Sequence, residues 1–160
     1  MELTGTVMHP GPDEGRRLAR GRLLVLEKPI SFWGGVDPLT GQIHDPRHPR
    51  HGTRLGGRVL VMERTIGSSS SSAVMLEILR NRVAPAAIVV GRPDAILVLG
   101  LLVADELGYD AIPMLRVGQR DIARLAEANG ARATMREGNL RVEEDRGPPT
   151  TQGSAYRSSI

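Results

Sequence analysis

The chain has 160 residues, 40% of them apolar, which is enough for one domain with its own core and too few for two. It contains no cysteine, and this excludes disulfides as well as an iron–sulfur cluster or a thiolate-bound zinc held by this chain alone. The formal net charge is +3, and the twenty arginines are spread along the chain among acidic residues, a distribution that argues against a nucleic-acid-binding protein.

The first half of the chain predicts two core strands separated by a long segment of turns. Residues 1–20 are expected to form a short edge strand and a loop, and Leu23–Leu26 the first core strand. Pro29–Gly57 is rich in glycine and proline, and a connection of this length inside a compact domain is usually functional. Arg58–Met62 predicts the next strand and Ser72–Arg82 the first helix.

The second half of the chain alternates predicted strands and helices. The short β-branched run at Ala86–Val90 predicts a buried strand. Asp94 is placed to cap a helix over Asp94–Leu107, which Gly108 would end. The remaining elements expected, in chain order, are a strand at Ile112–Val117, a helix at Ile122–Asn129 with Leu125 and Ala126 facing inward, and a hairpin of Ala133–Met135 with Leu140–Val142.

Together these elements predict an α/β fold with strands in both directions over residues 1–146. From Gly147 the composition changes to Pro, Thr, Gln, Gly and Ser, which predicts a disordered tail over residues 147–160. The first twenty residues lack the apolar core of a signal peptide, and the longest apolar stretch, Ala95–Ala104, is too short to span a bilayer. We therefore expect a cytoplasmic protein that does not enter the membrane.

The strongest candidate site is the run of five serines, Ser68–Ser72, between a predicted strand and a predicted helix. A strand followed by Gly67 and then by small hydroxyl residues at the start of a helix directs N–H donors and hydroxyls toward an anion. The helix dipole and Arg64 favour an anionic substrate or an alkoxide. A flexible serine linker is the alternative, but linkers separate domains, and helix capping accounts for only one serine, Ser70 or Ser72.

A second candidate is the loop Phe32-Trp33-Gly34-Gly35, which holds two of the four aromatic residues in the chain. Glycine pairs permit backbone geometry or close approach that other residues forbid. Two interpretations are equally supported: the aromatic residues plug one end of a small barrel, or they form an interface or binding site. Asp37 begins a predicted tight turn directly after this loop.

Three histidines, His44, His48 and His51, accompany Asp45 in the turn-rich segment. Their spacing resembles a helical face, but two intervening prolines prevent a helix, so a three-histidine metal site is not expected. The residues are interpreted as solvated loop histidines. A second hypothesis is that Asp45 and His48 meet and position each other.

Four segments together resemble the small, swivelling subunit of the aconitase X family: PISFWGGVDPLTG, IHDPRHPRHG, GRVLVMERTIGSSSSS and APAAIVV. The resemblance covers about residues 5–118 and implies a swivelling β/β/α domain that works as part of a hydro-lyase. It implies that Ser68, directly after Gly67, accepts the proton. The substrate or the partner interface would then be lined by residues of the same loops: Gly67, Ser69, Ser70, Phe32, Trp33, Gly34, Gly35, Asp37, His48 and Arg64.

The resemblance also implies a cysteine-bearing large subunit that carries the iron–sulfur cluster or iron, with no cofactor bound by this chain alone. The family includes dehydratases of cis-3-hydroxy-L-proline and of mevalonate 5-phosphate. The arginine-rich composition and the C-terminal segment favour the amino-acid substrate, with mevalonate 5-phosphate as the alternative. A more remote alternative is a phosphohistidine carrier of the same β/β/α architecture acting through His44 or His48, although the carriers' T-x-G-G-x-x-S-H arrangement is missing.

Overall fold

Eight strands form one sheet in the structure, a computed structural model that describes residues 1–143. Their spatial order is β1-β8-β7-β3-β4-β5-β6-β2. The strands are β1 (Glu2–Thr4), β2 (Thr6–His9), β3 (Ala19–Leu26), β4 (Val59–Met62), β5 (Ala87–Val90), β6 (Met114–Arg116), β7 (Arg132–Arg136) and β8 (Asn139–Val142).

Three full helices and two short turns connect these strands. The helices are α2 (Ser71–Arg80), α3 (Ala95–Glu106) and α4 (Gln119–Glu127), the short helical segment α1 spans Phe32–Gly35, and a 3-10 turn spans Pro12–Gly15. Within residues 1–143, no helix has the length and hydropathy needed to cross a bilayer.

The centre of the sheet is parallel and buried on both faces. Strands β3, β4, β5 and β6 run in parallel, and every residue of β4 and β5 is buried. One face packs against α2 and α3, with Met62, Ile88 and Leu101 in that part of the core. The opposite face packs against the antiparallel strands and Leu125 of α4. Burial on both faces explains why these strands appear in the sequence as unbroken apolar runs.

The antiparallel part of the sheet curls back over the second core. Strands β1, β8 and β7 pair antiparallel with each other and with the first half of β3, and their residues alternate between core and solvent. Strand β2 pairs antiparallel with β6 at the other edge. Because only Gly5 separates β1 from β2, the two edges of the sheet come close together and give a nearly closed, barrel-like form.

The structure confirms the predicted mixed α/β fold and the cap of α3. One Asp94 carboxylate oxygen accepts hydrogen bonds from the N–H groups of Ile96 and Leu97, at 2.9 and 3.0 Å. The predicted C-terminal hairpin is also present, and its two turn residues, Glu137 and Gly138, have φ angles of 48° and 77°. Positive φ at both positions is the signature of a two-residue type I′ turn.

Four details of the sequence prediction were wrong. Residues 1–20 contribute two strands on opposite edges of the sheet, not one edge strand, and β3 begins at Ala19 rather than Leu23. Helix α4 begins at Gln119, before the predicted Ile122, and Ala126 is exposed while Leu125 is buried. The predicted disordered tail, 147–160, lies outside the described residues.

Gly5 is expected to tolerate no side chain. A Cβ atom at this position would lie 2.4 Å from the carbonyl oxygen of Arg116 and 2.7 Å from the Leu115 side chain. We expect Gly5→Ala to lower the free energy of unfolding by about 1–3 kcal/mol, because backbone must move to relieve the overlap. Urea unfolding would measure the change. Gly67→Ala is the matched control, since a Cβ there meets nothing within 4 Å, and equal losses in the two variants would contradict the prediction.

Candidate functional site

Three loops converge at the carboxyl ends of the parallel strands. The loop after β3 is bridged to the loop after β4 through Ile30 and Thr65, and the Ile66 N–H donates to the Ile30 carbonyl at 2.9 Å. The Thr65 hydroxyl donates to the Asp94 carboxylate in the loop after β5. Ligands of α/β sheets commonly bind outside the carboxyl ends of the strands, so these connected loops are the first place to search for a site.

A buried serine joins the serine run to the aromatic loop. Ser71 is only 4% exposed, and its Oγ accepts a hydrogen bond from the Trp33 N–H at 3.3 Å. The sequence analysis did not single out Ser71. Its position in the buried set of α2, with Met75, Ile78 and Leu79, follows the helical period and is the signal that would have identified it.

The remaining serines leave donors available at the start of α2. Ser68 is partly buried, its carbonyl accepts the Ser71 N–H at 3.0 Å, and its hydroxyl has no partner within residues 1–143. Ser69 and Ser70 are exposed. Among the described residues, no protein group accepts the N–H groups of Ser68, Ser69 or Ser70. Free N–H donors at a helix N-terminus are suited to bind an anion.

Helix capping differs from the expectation. Ser70 does occupy the N-cap position of α2, as one of the two predicted alternatives, but its side chain makes no capping hydrogen bond. The Ser72 hydroxyl instead donates to the carbonyl of Ser69 at 2.9 Å. The serine run is therefore not explained by capping, and its exposed hydroxyls are free for another role.

The two aromatic residues of the loop have different environments. Phe32 is fully buried in the core beside α2 and α3, whereas Trp33 is 60% exposed. Gly34 has a φ of 79°, a left-handed conformation that favours glycine, and a Cβ on Gly35 would lie 2.8 Å from the Ile30 side chain. Phe32 thus fits the plug interpretation, and Trp33 is exposed as a binding or interface residue requires.

An open groove of about 590 Å³ lies beside this loop. Three of the sequence-predicted site residues line the groove: Trp33, Gly34 and Gly35. Ile66, two positions before Ser68 in the sequence, also lines it. Residues that the sequence analysis did not assign to the site also line it: Pro29, Ile30, Ser31, His44, Asp45, Pro46 and Arg47. Since exposed loops contribute nearly every wall, a second surface is needed to enclose a ligand here.

Asp37 has a structural role in the turn that follows. Its carboxylate accepts hydrogen bonds from the Leu39 N–H at 2.9 Å and from the Thr40 hydroxyl at 2.8 Å. The bond from the Leu39 N–H, followed by that from Thr40, holds the pKa of Asp37 below its ordinary value. The side chain therefore holds the turn in place rather than facing the groove.

His48 also holds a loop, and the expectation of a solvated histidine was wrong for it. The residue is 6% exposed, and its Nδ1 accepts the Arg50 N–H at 3.0 Å. Its Nε2 lies 3.0 Å from the Lys28 carbonyl, so a neutral ring donates from Nε2. The predicted side-chain pairing with Asp45 is not formed, because Asp45 accepts the Arg47 N–H instead, and this bond lowers the pKa of Asp45.

Arg64 is the cation nearest in sequence to the serine run. It is exposed, and within residues 1–143 it forms no salt bridge. The neighbouring Glu63 is paired with Arg92 at 3.4 Å. An unpaired guanidinium four residues before Ser68 leaves a positive charge available to a carboxylate or a phosphate.

The described residues contain no cluster of three or more His, Cys, Asp or Glu side chains that could hold a metal ion. The sequence also lacks cysteine. The groups that the site does offer are hydroxyls, backbone N–H donors, a guanidinium and an exposed indole. This set binds anions and moves protons; it does not fit a resident metal or iron–sulfur cluster.

Comparisons with known proteins identify the domain type. A family model described as the aconitase X swivel domain matches residues 14–142. The chain superposes on the crystal structure of Thermococcus kodakaraensis aconitase X in its holo form with a TM-score of 0.75 and 30% identity, covering 90% of this chain and 99% of that one. The predicted swivelling β/β/α domain is therefore confirmed.

Two kinds of relatives differ in length. The chain is 40% identical over 131 residues to cis-3-hydroxy-L-proline dehydratase of Pseudomonas aeruginosa, covering 82% of this chain and 22% of that protein. It is 36% identical over 135 residues to the phosphomevalonate dehydratase small subunit of Thermococcus onnurineus, covering 82% of this chain and 98% of that subunit. The chain thus spans about a fifth of the first relative and almost all of the second.

Ser71→Ala tests the contact between the serine run and the aromatic loop. We expect it to lower the free energy of unfolding by about 1 kcal/mol, because the Trp33 N–H loses its acceptor beside a buried side chain. Ser70→Ala is the matched control, since its exposed hydroxyl makes no capping bond, and it should change stability by less than about 0.5 kcal/mol. Chemical unfolding followed through Trp33 fluorescence would measure both, and a larger loss for Ser70→Ala would refute the contact.

The turn at Asp37 predicts a loss of stability in acid. Because its folded-state pKa lies below the ordinary 3.8, the stabilisation is complete above that value and is lost as the pH falls through the folded pKa. We expect urea unfolding between about pH 5 and pH 2 to show this decline, and Asp37→Asn to make it shallower. The exposed Asp110, which makes no side-chain hydrogen bond among the described residues, gives the control Asp110→Asn, whose acid decline should match that of the wild type.

Proposed function

The chain belongs to the aconitase X swivel-domain family, and we propose that it is the small subunit of a hydro-lyase that a larger polypeptide completes. The observation that carries the proposal is the serine run at the carboxyl edge of the parallel sheet, with unpaired N–H donors and a half-buried hydroxyl beside an open groove. In this family setting, the second wall of the groove is supplied by the larger polypeptide.

The lengths of the relatives support a two-chain enzyme. The chain covers 98% of a phosphomevalonate dehydratase small subunit but only 22% of a cis-3-hydroxy-L-proline dehydratase. The longer relative therefore carries further polypeptide that this chain does not contain. Because a relative named as a small subunit has almost the same span as this chain, we propose that a partner polypeptide supplies that part here.

We assign the proton-accepting role to Ser68. Its hydroxyl is half-buried and unpaired within residues 1–143, two residues before the N-cap of the ten-residue helix α2. A neutral hydroxyl is a very weak base, so Ser68 acts as its alkoxide, which takes the substrate proton to become the hydroxyl and later returns that proton to water. Positive potential favours the alkoxide, and both the N-terminal dipole of α2 and Arg64, which has no ion-pair partner within residues 1–143, supply it.

The neighbouring groups bind and orient the substrate in this proposal. The N–H groups of Ser69 and Ser70 donate hydrogen bonds to a carboxylate or phosphate oxygen, and Arg64 adds a charged donor. Trp33 covers the substrate or packs against the larger chain with its exposed indole. Residues 1–143 hold no cluster of metal-ligating side chains and the sequence has no cysteine, so we propose that a cysteine-bearing large subunit holds the iron centre, which would supply Lewis-acid chemistry for departure of the hydroxyl group.

The proposed substrate is cis-3-hydroxy-L-proline, supported by 40% identity to a dehydratase of that name. The second candidate is mevalonate 5-phosphate, which the nearly complete coverage of a phosphomevalonate dehydratase small subunit favours. Both molecules present an anionic group that the α2 N-terminus could hold. In the phosphohistidine-carrier alternative, His48 is unsuitable, because both ring nitrogens of this buried residue are already bonded to backbone groups.

Ser68→Ala tests the base assignment in the assembled enzyme. Combined with the large subunit, the wild-type chain should dehydrate one of the two candidate substrates, and Ser68→Ala should lower kcat by about 10²–10⁴ because proton transfer loses its acceptor. Formation of the unsaturated product, followed by absorbance or mass spectrometry, measures the rate. The control is Ser72→Ala, whose hydroxyl bonds to the Ser69 carbonyl and is given no role in the reaction.

Distinct outcomes separate the parts of the proposal. Wild-type turnover in Ser68→Ala, with normal binding to the large subunit, would remove the base assignment but leave the subunit assignment. Failure of the wild-type chain to bind or activate any large subunit of the family would remove the subunit assignment itself. Turnover of mevalonate 5-phosphate alone would replace the first substrate with the second.

A further inference from the structure

Four arginines share one exposed face of the antiparallel half of the sheet. Arg20 and Arg22 lie on β3, Arg132 on β7 and Arg141 on β8, and all four are exposed. Residues two apart on a strand share a face, and residues paired directly across an antiparallel ladder do so as well. Far apart in sequence, these arginines did not look like a basic patch, but the register brings them together.

The register places like charges directly opposite each other. Arg22 pairs with Arg132, while Arg20 pairs with Thr134, which in turn pairs with Arg141. Like charges at directly opposed positions destabilise a sheet. The fold therefore retains an unfavourable pair, Arg22 and Arg132, at a position where a neutral residue would make the sheet more stable.

The arginine face lacks compensating ion pairs. None of its four arginines forms a salt bridge within residues 1–143, whereas Arg80 and Arg124, on helices, pair with acids one turn away. Glu2 lies opposite Arg141 in the ladder, yet these two residues are not within ion-pair distance. The groove lined by the four guanidiniums, with Gly21, Ala133, Thr134 and Glu143, has a volume of about 770 Å³.

We propose that this arginine face is a docking surface for a carboxylate-rich surface of a partner protein. Guanidinium forks bind carboxylates with two parallel hydrogen bonds, and the separations between neighbouring strands and alternate residues suit several carboxylates at once. The proposal is independent of the reaction, because the face lies on the first half of β3, whereas the serine loop follows the carboxyl end of β4.

The chemistry of the face favours an acidic protein over a nucleic acid. Glu2 and Glu143 border it on one side, where they would repel a continuing phosphate backbone but could pair with basic residues at the rim of a protein interface. In the described part of the chain, no aromatic residue lies on this face to stack with bases. A mixed pattern of four cations with two flanking acids also specifies orientation, as complementary protein surfaces do.

The test uses the full chain and two defined probes: a fluorescent peptide of ten glutamates and a fluorescent decamer of deoxythymidylate. Anisotropy at about 50 mM NaCl should show binding of the peptide, with loss at about 300 mM as the charges are screened. Arg132→Gln combined with Arg141→Gln should weaken peptide binding by at least about fivefold. The matched control, Arg80→Gln with Arg124→Gln, makes the same change in net charge and should weaken it by less than about twofold.

Three results would overturn the proposal. Equal weakening in both double variants would show a response to net charge alone. Absence of peptide binding in low salt would show that the face is not a docking surface. Tighter binding of the oligonucleotide than of the peptide, lost in the Arg132→Gln, Arg141→Gln variant, would assign the face to nucleic acid.

A second measurement tests the opposed pair: Arg132→Gln should raise Tm by about 1–4 °C as repulsion from Arg22 is relieved. A lowered Tm would contradict that repulsion, and Arg20→Gln with Arg141→Gln would then replace the first double variant in the binding test.

Discussion

The parallel pairing of β3, β4 and β5 is the constraint on which the rest of the molecule depends. The paired residues of these strands, which in β3 are Leu23–Leu26, are buried on both faces, so their register is fixed by two cores at once. Fixing the register fixes where each strand ends, and therefore where the loops after Leu26, Met62 and Val90 emerge. The candidate site is built entirely from those three loops. Its geometry is thus set by apolar packing in which none of the proposed reacting groups takes part.

Hydrogen bonds between the three loops hold them together as a single surface. Ile66 is bonded to Ile30, Thr65 to Asp94, and the Trp33 N–H to Ser71 Oγ. Each bond joins two loops that follow different strands, so the loops are held relative to one another as well as to the sheet. The groups of the candidate site, Ser68 and Trp33 among them, are then carried on a supported backbone rather than on independent loops. Such support is what a proton acceptor requires if its distance to a substrate is to stay constant.

The sequence predicted the buried strands and the cap of α3 better than it predicted edges and supporting residues. Val59–Met62 and Ala87–Val90 are apolar runs whose pattern arises from burial on both faces, and Asp94 carries a local capping signal, so each could be identified without the fold. Pairing of residues 1–9 with both edges of the sheet depends on partners more than a hundred residues away, which no local pattern reveals. The roles of His48 and Asp37 in holding turns could not be separated from ligand roles by sequence alone. The same residue types serve both purposes, and only their hydrogen-bond partners distinguish them.

The distribution of charge also could not be predicted from local sequence patterns. Along the sequence the arginines are dispersed among acids, which argues against a nucleic-acid-binding protein. In the fold, Arg64, four residues before Ser68, forms no ion pair within residues 1–143, and four further arginines lie together on the outward face of the antiparallel strands. Helix arginines one turn from an acid are neutralised locally, whereas strand arginines face whatever the register places beside them. The two proposals therefore use positive charge in two separate parts of the domain, and β-sheet register, not sequence proximity, provides the second of them.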